Sequence, residues 1–168
     1  DETAARFLDK TLRDFRRSGV DRDDPTRERI RAINERLTIL SQEFSKNIRN
    51  GVRSIRVTPD RLAGMPQDWL DAHPADEQGL VTVTTDYPDS VPLRTFCADA
   101  AVRREITMAF LTVGWPDNDP LLHEMFQLRH ELAQLLGYAT WADYDAEVKM
   151  IKQGEAIPAF IDKIADAA

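Results

Sequence analysis

The sequence predicts a mainly α protein, a helical array that carries a small β-hairpin. Three observations predict it. Apolar residues recur at spacings of three and four along several long stretches. Two short stretches break that period and alternate instead: Ile55 and Val57 with Ser54 and Arg56, Val81 and Val83 with Thr82 and Thr84. Glycines and Asp-Pro pairs stand where one period gives way to the next, as helix ends and helix starts require.

The first helix runs from Glu2 to Arg17, with Ala4, Leu8, Leu12 and Phe15 as its apolar stripe and Gly19 as its stop. Asp24-Pro25 opens the second. Its stripe is Ile30, Ile33, Leu37, Leu40, Phe44 and Ile48, giving about seven turns that end near Gly51. This narrow stripe suits packing along another helix, and two heptads are too few for an independent coiled coil. Two strands follow, around Ile55 and Val81, with a short helix through Trp69 and Leu70 between them. A two-stranded pair is marginal in water, so it should lie against helices. Tyr87-Pro88 and Val91-Pro92 mark a bend, then a short helix through Leu93 and Phe96. Asp99 caps a helix that turns Val102, Ile106, Phe110 and Val113 inward and stops at Gly114. Residues 1–50 thus read as a long helical hairpin, 51–98 as short strands and loops, and 99–168 as a helical segment.

Within that last segment Asp119-Pro120 starts a helix striped by Leu121, Met125, Leu128, Leu132 and Leu135. Gly137 ends it. Thr140 and Asp143 form a capping box for a further helix through Trp141, Tyr144, Val148 and Ile151. The chain of 168 residues begins at Asp1-Glu2 without an initiator methionine and runs out in an apolar helical stretch (Phe160, Ile161, Ile164), so it reads as a piece of a longer protein.

Composition narrows the function classes. A net charge of −7 argues against a nucleic-acid partner, because phosphate binding needs a basic surface. It argues more weakly against anionic membranes. No apolar run approaches the roughly 20 residues that span a bilayer, and the acidic amino terminus is no signal peptide. The expected location is cytoplasmic. The single cysteine, Cys97, excludes an internal disulfide and a multi-cysteine metal site, and reads as a small buried hydrophobe.

Two half-motifs invite a metal reading. His123-Glu124 and His130-Glu131 each begin HExxH, in which two histidines one turn apart share zinc and the glutamate is the base. The fourth residue on is Gln127 in one copy and Gln134 in the other, so neither is complete. His123 and His130 stand about 10 Å apart along a helix, too far to share one ion. They read as ordinary helix residues. A site built from His73, His123 and a carboxylate is the remaining zinc arrangement. No GxSxG, GxGxxG or GxxxxGK[ST] is present. Nothing near Cys97 favours a thiolate nucleophile. Tyr138, Trp141 and Tyr144 either pack the corner between two helices or line a peptide groove, and the packing reading is the plainer one. No residue of this chain is therefore expected to be catalytic, cofactor-binding or metal-ligating.

Several runs together resemble one family. They are Asp14-Phe15-Arg16-Arg17-Ser18-Gly19-Val20, Glu43-Phe44-Ser45, Leu62-Ala63-Gly64-Met65-Pro66, Tyr87-Pro88, Arg103-Arg104, Leu135-Leu136-Gly137-Tyr138, Ala142-Asp143-Tyr144 and Lys149-Met150, with Pro158 to Ile164 fitting a next helix. In order and spacing they resemble the thimet oligopeptidase, neurolysin and oligopeptidase A family of zinc metallopeptidases, in the helical region upstream of catalysis. The resemblance implies a parent that holds zinc through a complete HExxH and a downstream glutamate, and that hydrolyses short peptides. It implies that the present segment leads to the catalytic domain of the same polypeptide, walls the substrate cleft, and is inactive alone. The alternative is a free-standing helical interaction module that docks a partner helix. An independent enzyme using His73, His123 or Cys97 is the third reading.

Overall fold

The computed structural model describes residues 1–168. Eight α-helices and two strands follow in order: α1 (Glu2–Arg17), α2 (Asp24–Asn50), β1 (Ser54–Val57), α3 (Gln67–Ala72), β2 (Val81–Thr84), α4 (Tyr87–Phe96), α5 (Ala100–Leu111), α6 (Asn118–Leu135), α7 (Trp141–Ala146) and α8 (Ala156–Ala165). The fold is mainly α with a two-stranded antiparallel sheet, as the periodicities require. The chain forms two compact units. One comprises residues 1–41 and 121–168, the other residues 42–120. No helix is long and apolar enough to cross a membrane.

The 42–120 unit is built around the sheet. Ile55 pairs with Val83 and Val57 with Val81, so all four point to one face and are buried. Their neighbours Ser54, Arg56 and Thr82 face water. The strands are joined through α3 and a 3-10 turn (Pro59–Leu62) rather than by a tight turn. Asp76 shapes the return: its Oδ1 accepts from the amides of Gln78 (2.9 Å) and Leu80 (3.1 Å). Helix α5 packs on β1 and α4 on β2. Leu62, Met65, Trp69, Leu93, Cys97, Val102 and Ile106 complete one apolar cluster with the sheet.

In the other unit α2 and α6 bury Ile30 and Ile33 against Leu132 and Leu136, with Leu37, Leu128 and Leu135 half-covered beside them. Gly137, at φ +87°, takes the left-handed turn that ends α6, a conformation other residues adopt only under strain. Thr140 Oγ1 accepts from the Asp143 amide at 3.1 Å and starts α7.

Helix α2 opens at Asp24-Pro25 as expected, while α4 and α7 depart from the sequence pattern and the α1 stripe is left unburied. The cap of α2 is Asp23, whose Oδ1 accepts from the Thr26 amide (2.9 Å), while Asp24 is already the first helical residue. Helix α4 absorbs the Tyr87-Pro88 and Val91-Pro92 pairs instead of following them: Pro88 sits in its first turn, where the missing amide costs no bond, and Pro92 lies inside it. Helix α7 stops at Ala146, short of Val148 and Ile151. There the chain doubles back, and the Gly154 amide donates to Asp143 Oδ1 at 3.1 Å. A Cβ on Gly154 would stand 2.7 Å from that oxygen, so only glycine permits the return. Finally, the stripe of α1 is real but buries nothing: no residue of α1 is buried.

Candidate functional site

The aromatic corner singled out above is a packing unit. Tyr138, Trp141 and Tyr144 are half-buried against the α2–α6 cluster. Tyr138 and Tyr144 meet edge to face at 5.2 Å, and Trp141 lies 5.0 Å from Tyr144. Arg17, at the end of α1, closes the corner. Its guanidinium stands 3.9 Å from the centre of the Tyr144 ring and donates to Tyr144 O (2.7 Å) and Glu147 Oε2 (2.6 Å). Tyr138 Oη donates to the same carboxylate oxygen at 2.7 Å. Burial pushes the Glu147 carboxyl up, but the bonds from Tyr138 and Arg17 outweigh it and hold the group below the usual carboxylate range. Burial and that same carboxylate push the Tyr138 phenol up.

The two half-motifs of α6 have a structural task. Glu124 takes a bidentate pair from Arg36, both bonds 2.7 Å. Glu131 takes one from Arg29, at 2.6 and 2.7 Å. Those bonds, first among the causes, hold both carboxyls below their ordinary range. Each glutamate is thus committed to fastening α6 onto α2. The signal was in the sequence. Arg29 and Arg36 are seven residues apart, as are Glu124 and Glu131, and the crossed order of the pairs is that of antiparallel helices. His123 and His130 stand on exposed positions of the same helix.

His73 belongs to the 42–120 unit, where it caps α3 and stacks on Trp69 at 3.9 Å. Its Nδ1 lies 2.7 Å from Trp69 O and its Nε2 3.1 Å from Asp89 Oδ1. Both ring nitrogens face oxygen atoms. Asp89 Oδ2 also accepts from the amide (3.0 Å) and hydroxyl (2.6 Å) of Thr84. Burial raises the Asp89 carboxyl, but the Thr84 and His73 bonds bring it below the usual range. Cys97 is buried, and its Sγ donates to Arg61 O at 3.4 Å. Asn118 was missed by pattern alone. It is buried, accepts from Asn47 Nδ2 (2.9 Å) and donates to Phe44 O (3.2 Å). No three His, Cys, Asp or Glu side chains converge to hold a metal ion.

The surface offers apolar ground instead. Phe7, Leu8, Leu12 and Phe15 of α1 are between 51% and 71% exposed, and Phe160, Ile161 and Ile164 of α8 between 55% and 57%. In the 42–120 unit a groove of about 340 Å3 is lined by Ile48, Val52, Tyr87, Phe110 and Val113.

Residues 93–168 match the model of peptidase family M3. The likeness to individual proteins runs further. Across 95% of its length the chain is 30% identical to a thimet-like oligopeptidase of Dictyostelium discoideum. Across 96% it is 32% identical to oligopeptidase A of Salmonella typhimurium. The chain resembles peptidase family M3 through its second half, and oligopeptidases over nearly all of its length. Saccharolysin of Saccharomyces cerevisiae is a further relative, 28% identical over 96% of the chain. The chain spans about a quarter of the length of the curated relatives it matches, between 23% and 26% for these three. The M3 match falls on the part of the chain that holds the end of α4 and all of α5 to α8.

Proposed function

We propose that this chain is a noncatalytic helical part of a zinc-dependent oligopeptidase, lying before the catalytic domain of the same polypeptide. The observation that carries this reading is the likeness to enzymes named oligopeptidases over 95–96% of the chain. Zinc, on this reading, is held entirely by residues outside the present sequence, and these 168 residues neither bind it nor hydrolyse peptides. Their contribution is mechanical. Packed helices beside a cleft admit short, flexible peptides and exclude folded proteins, because a folded chain would have to unfold to enter. Stiffness suits that task, and the bidentate Arg29–Glu131 and Arg36–Glu124 pairs with the Arg17 corner supply it. The reading includes short peptides as substrates, a cytoplasmic location, and no nucleic-acid or membrane partner.

The test compares the whole polypeptide with residues 1–168 alone. The whole polypeptide should contain zinc and cleave peptides of about ten residues while sparing the same peptide inside a folded protein. Residues 1–168 should do neither. Stoichiometric zinc or peptide cleavage by residues 1–168 alone would overturn the assignment. An inactive, zinc-free whole polypeptide would replace it with a helical interaction module.

A further inference from the structure

We infer that the exposed stripe of α1 is a docking seam for an amphipathic helix from the part of the same polypeptide that lies outside residues 1–168. The inference rests on the reading above only in taking the chain as part of a longer one. Helix α1 is two-faced, yet it buries none of its residues, and Phe7, Leu8, Leu12 and Phe15 all stand more than half exposed. Contiguous apolar ground of this kind marks a contact surface rather than scattered surface residues. Leu8, Leu12 and Phe15 are spaced four and three apart, the spacing by which one helix presents anchors to another.

Next to this stripe the surface is concave. A hollow of about 620 Å3 is lined by Asp9, Leu12, Phe15, Arg16, Val20 and Asp21. The turn after α1 brings Val20 into that hollow, with the Val20 amide bonded to Phe15 O at 3.2 Å. Neither Asp9 nor Arg16 makes an ion pair, whereas Arg13 and Arg17 on the same helix both do. The occupant that fits is a helix with an apolar stripe, a basic side chain opposite Asp9 and an acidic one opposite Arg16. The same polypeptide is the favoured source because relatives of this chain are about four times its length, so most of such a protein lies beyond the residues described.

The experiment uses the full-length polypeptide, with cysteines outside residues 1–168 replaced by serine. Cys97 is buried and stays silent toward a thiol reagent. Leu12→Cys places a thiol in the hollow, and Lys10→Cys places one on the exposed opposite side of α1. Leu12→Cys should react at least about tenfold more slowly than Lys10→Cys, at every protein concentration. Equal rates would overturn the inference. So would slow labelling that becomes fast on dilution, since the occupant would then be a second copy. If Leu12→Cys folds poorly, hydroxyl-radical footprinting of the unsubstituted polypeptide gives the same answer. A naked stripe would be oxidised within about twofold of the urea-unfolded chain, and a covered one about tenfold more slowly. Peptide cleavage, measured on the same samples, separates the two ideas. Cleavage with a fully reactive Leu12→Cys would keep the oligopeptidase reading and remove the seam. A protected Leu12→Cys without cleavage would do the reverse.

Discussion

The two units hold themselves together in different ways. The 42–120 unit has a continuous apolar interior in which Val83, Leu93, Val102 and Ile106 are wholly buried between a sheet and two helices. The other unit has four buried residues in its main cluster, Ile30, Ile33, Leu132 and Leu136. It adds what the first lacks: two bidentate arginine–glutamate pairs across α2 and α6, and the Arg17 corner. The lesson concerns where each can be damaged. A sheet-centred core fails when volume is removed. A helix pair fastened by arginines fails when a charge is removed, and its outer helix contributes apolar surface that nothing in these residues covers.

The sharpest way to break that comparison is to hollow the sheet-centred core. Ile106→Ala deletes three carbons from a fully buried position and should cost the 42–120 unit about 3 kcal/mol, through lost transfer energy and the cavity left behind. Urea titration followed by hydrogen exchange at β1 and β2 amides reads the loss in that unit. A cost under about 1 kcal/mol would mean that the interior collapses around the gap and is less tightly specified than its burial implies.

The arginine-fastened unit answers to a different change. Arg17→Met keeps an apolar stem over Tyr144 but removes the bonds to Tyr144 O and Glu147. The expected cost is about 1–2 kcal/mol, limited because Glu147 keeps the Tyr138 bond and some access to water. Arg17→Lys should recover little, since an ammonium cannot span the carbonyl and the carboxylate in one plane. Thermal unfolding of the two variants side by side measures this, and full rescue by lysine would show that charge alone matters at the corner.

Much of this arrangement was legible in the sequence. The bounds of α1 follow from its stripe and Gly19, and Asp99 announces α5 by supplying an acceptor to the amides of Ala101 (2.8 Å) and Val102 (3.2 Å). Alternation gave both strands, and their pairing places Ile55 beside Val83. What pattern could not reach was nonlocal. Pro92 reads as a breaker, yet packing of Leu93 into the core holds α4 together around it. Asn118 looks like a loop residue until Phe44 and Asn47 come within its reach. His73 carries no local sign of Asp89, which lies sixteen residues on. The stripe of α1 was visible, but periodicity says only that a face is apolar, not what covers it.

Acid reaches both units, through Glu124, Glu131 and Glu147 in one and Asp89 in the other. Asp89 is held below the ordinary carboxylate range, so its contribution is fully present above the unfolded value near 3.8 and is lost as pH falls through the lower folded value. The 42–120 unit should therefore weaken on acidification below about pH 4. Asp89→Asn should cost roughly 1 kcal/mol at neutral pH and flatten that acid slope. Hydrogen exchange at Thr84, whose amide bonds the carboxylate, follows it directly. An unchanged slope in the variant would assign the acid sensitivity to Asp76 or Asp99, which are also held low.

The smallest expected effect is the most informative about α1. In residues 1–168 alone, Leu12→Ser alters a side chain that is already half in water, so stability should move by no more than about 0.5 kcal/mol. Association of the isolated chain should fall, because the apolar ground has been broken. In the full-length polypeptide the same substitution should cost about 2–3 kcal/mol if a helix covers the stripe, since a buried leucine is then lost to a hydroxyl. The difference between the two backgrounds measures the cover itself. A small effect in both would leave α1 a solvent-facing helix with an apolar stripe. A large effect in residues 1–168 alone would mean that Leu12 is buried there, by self-association or by a packing of α1 other than the one described.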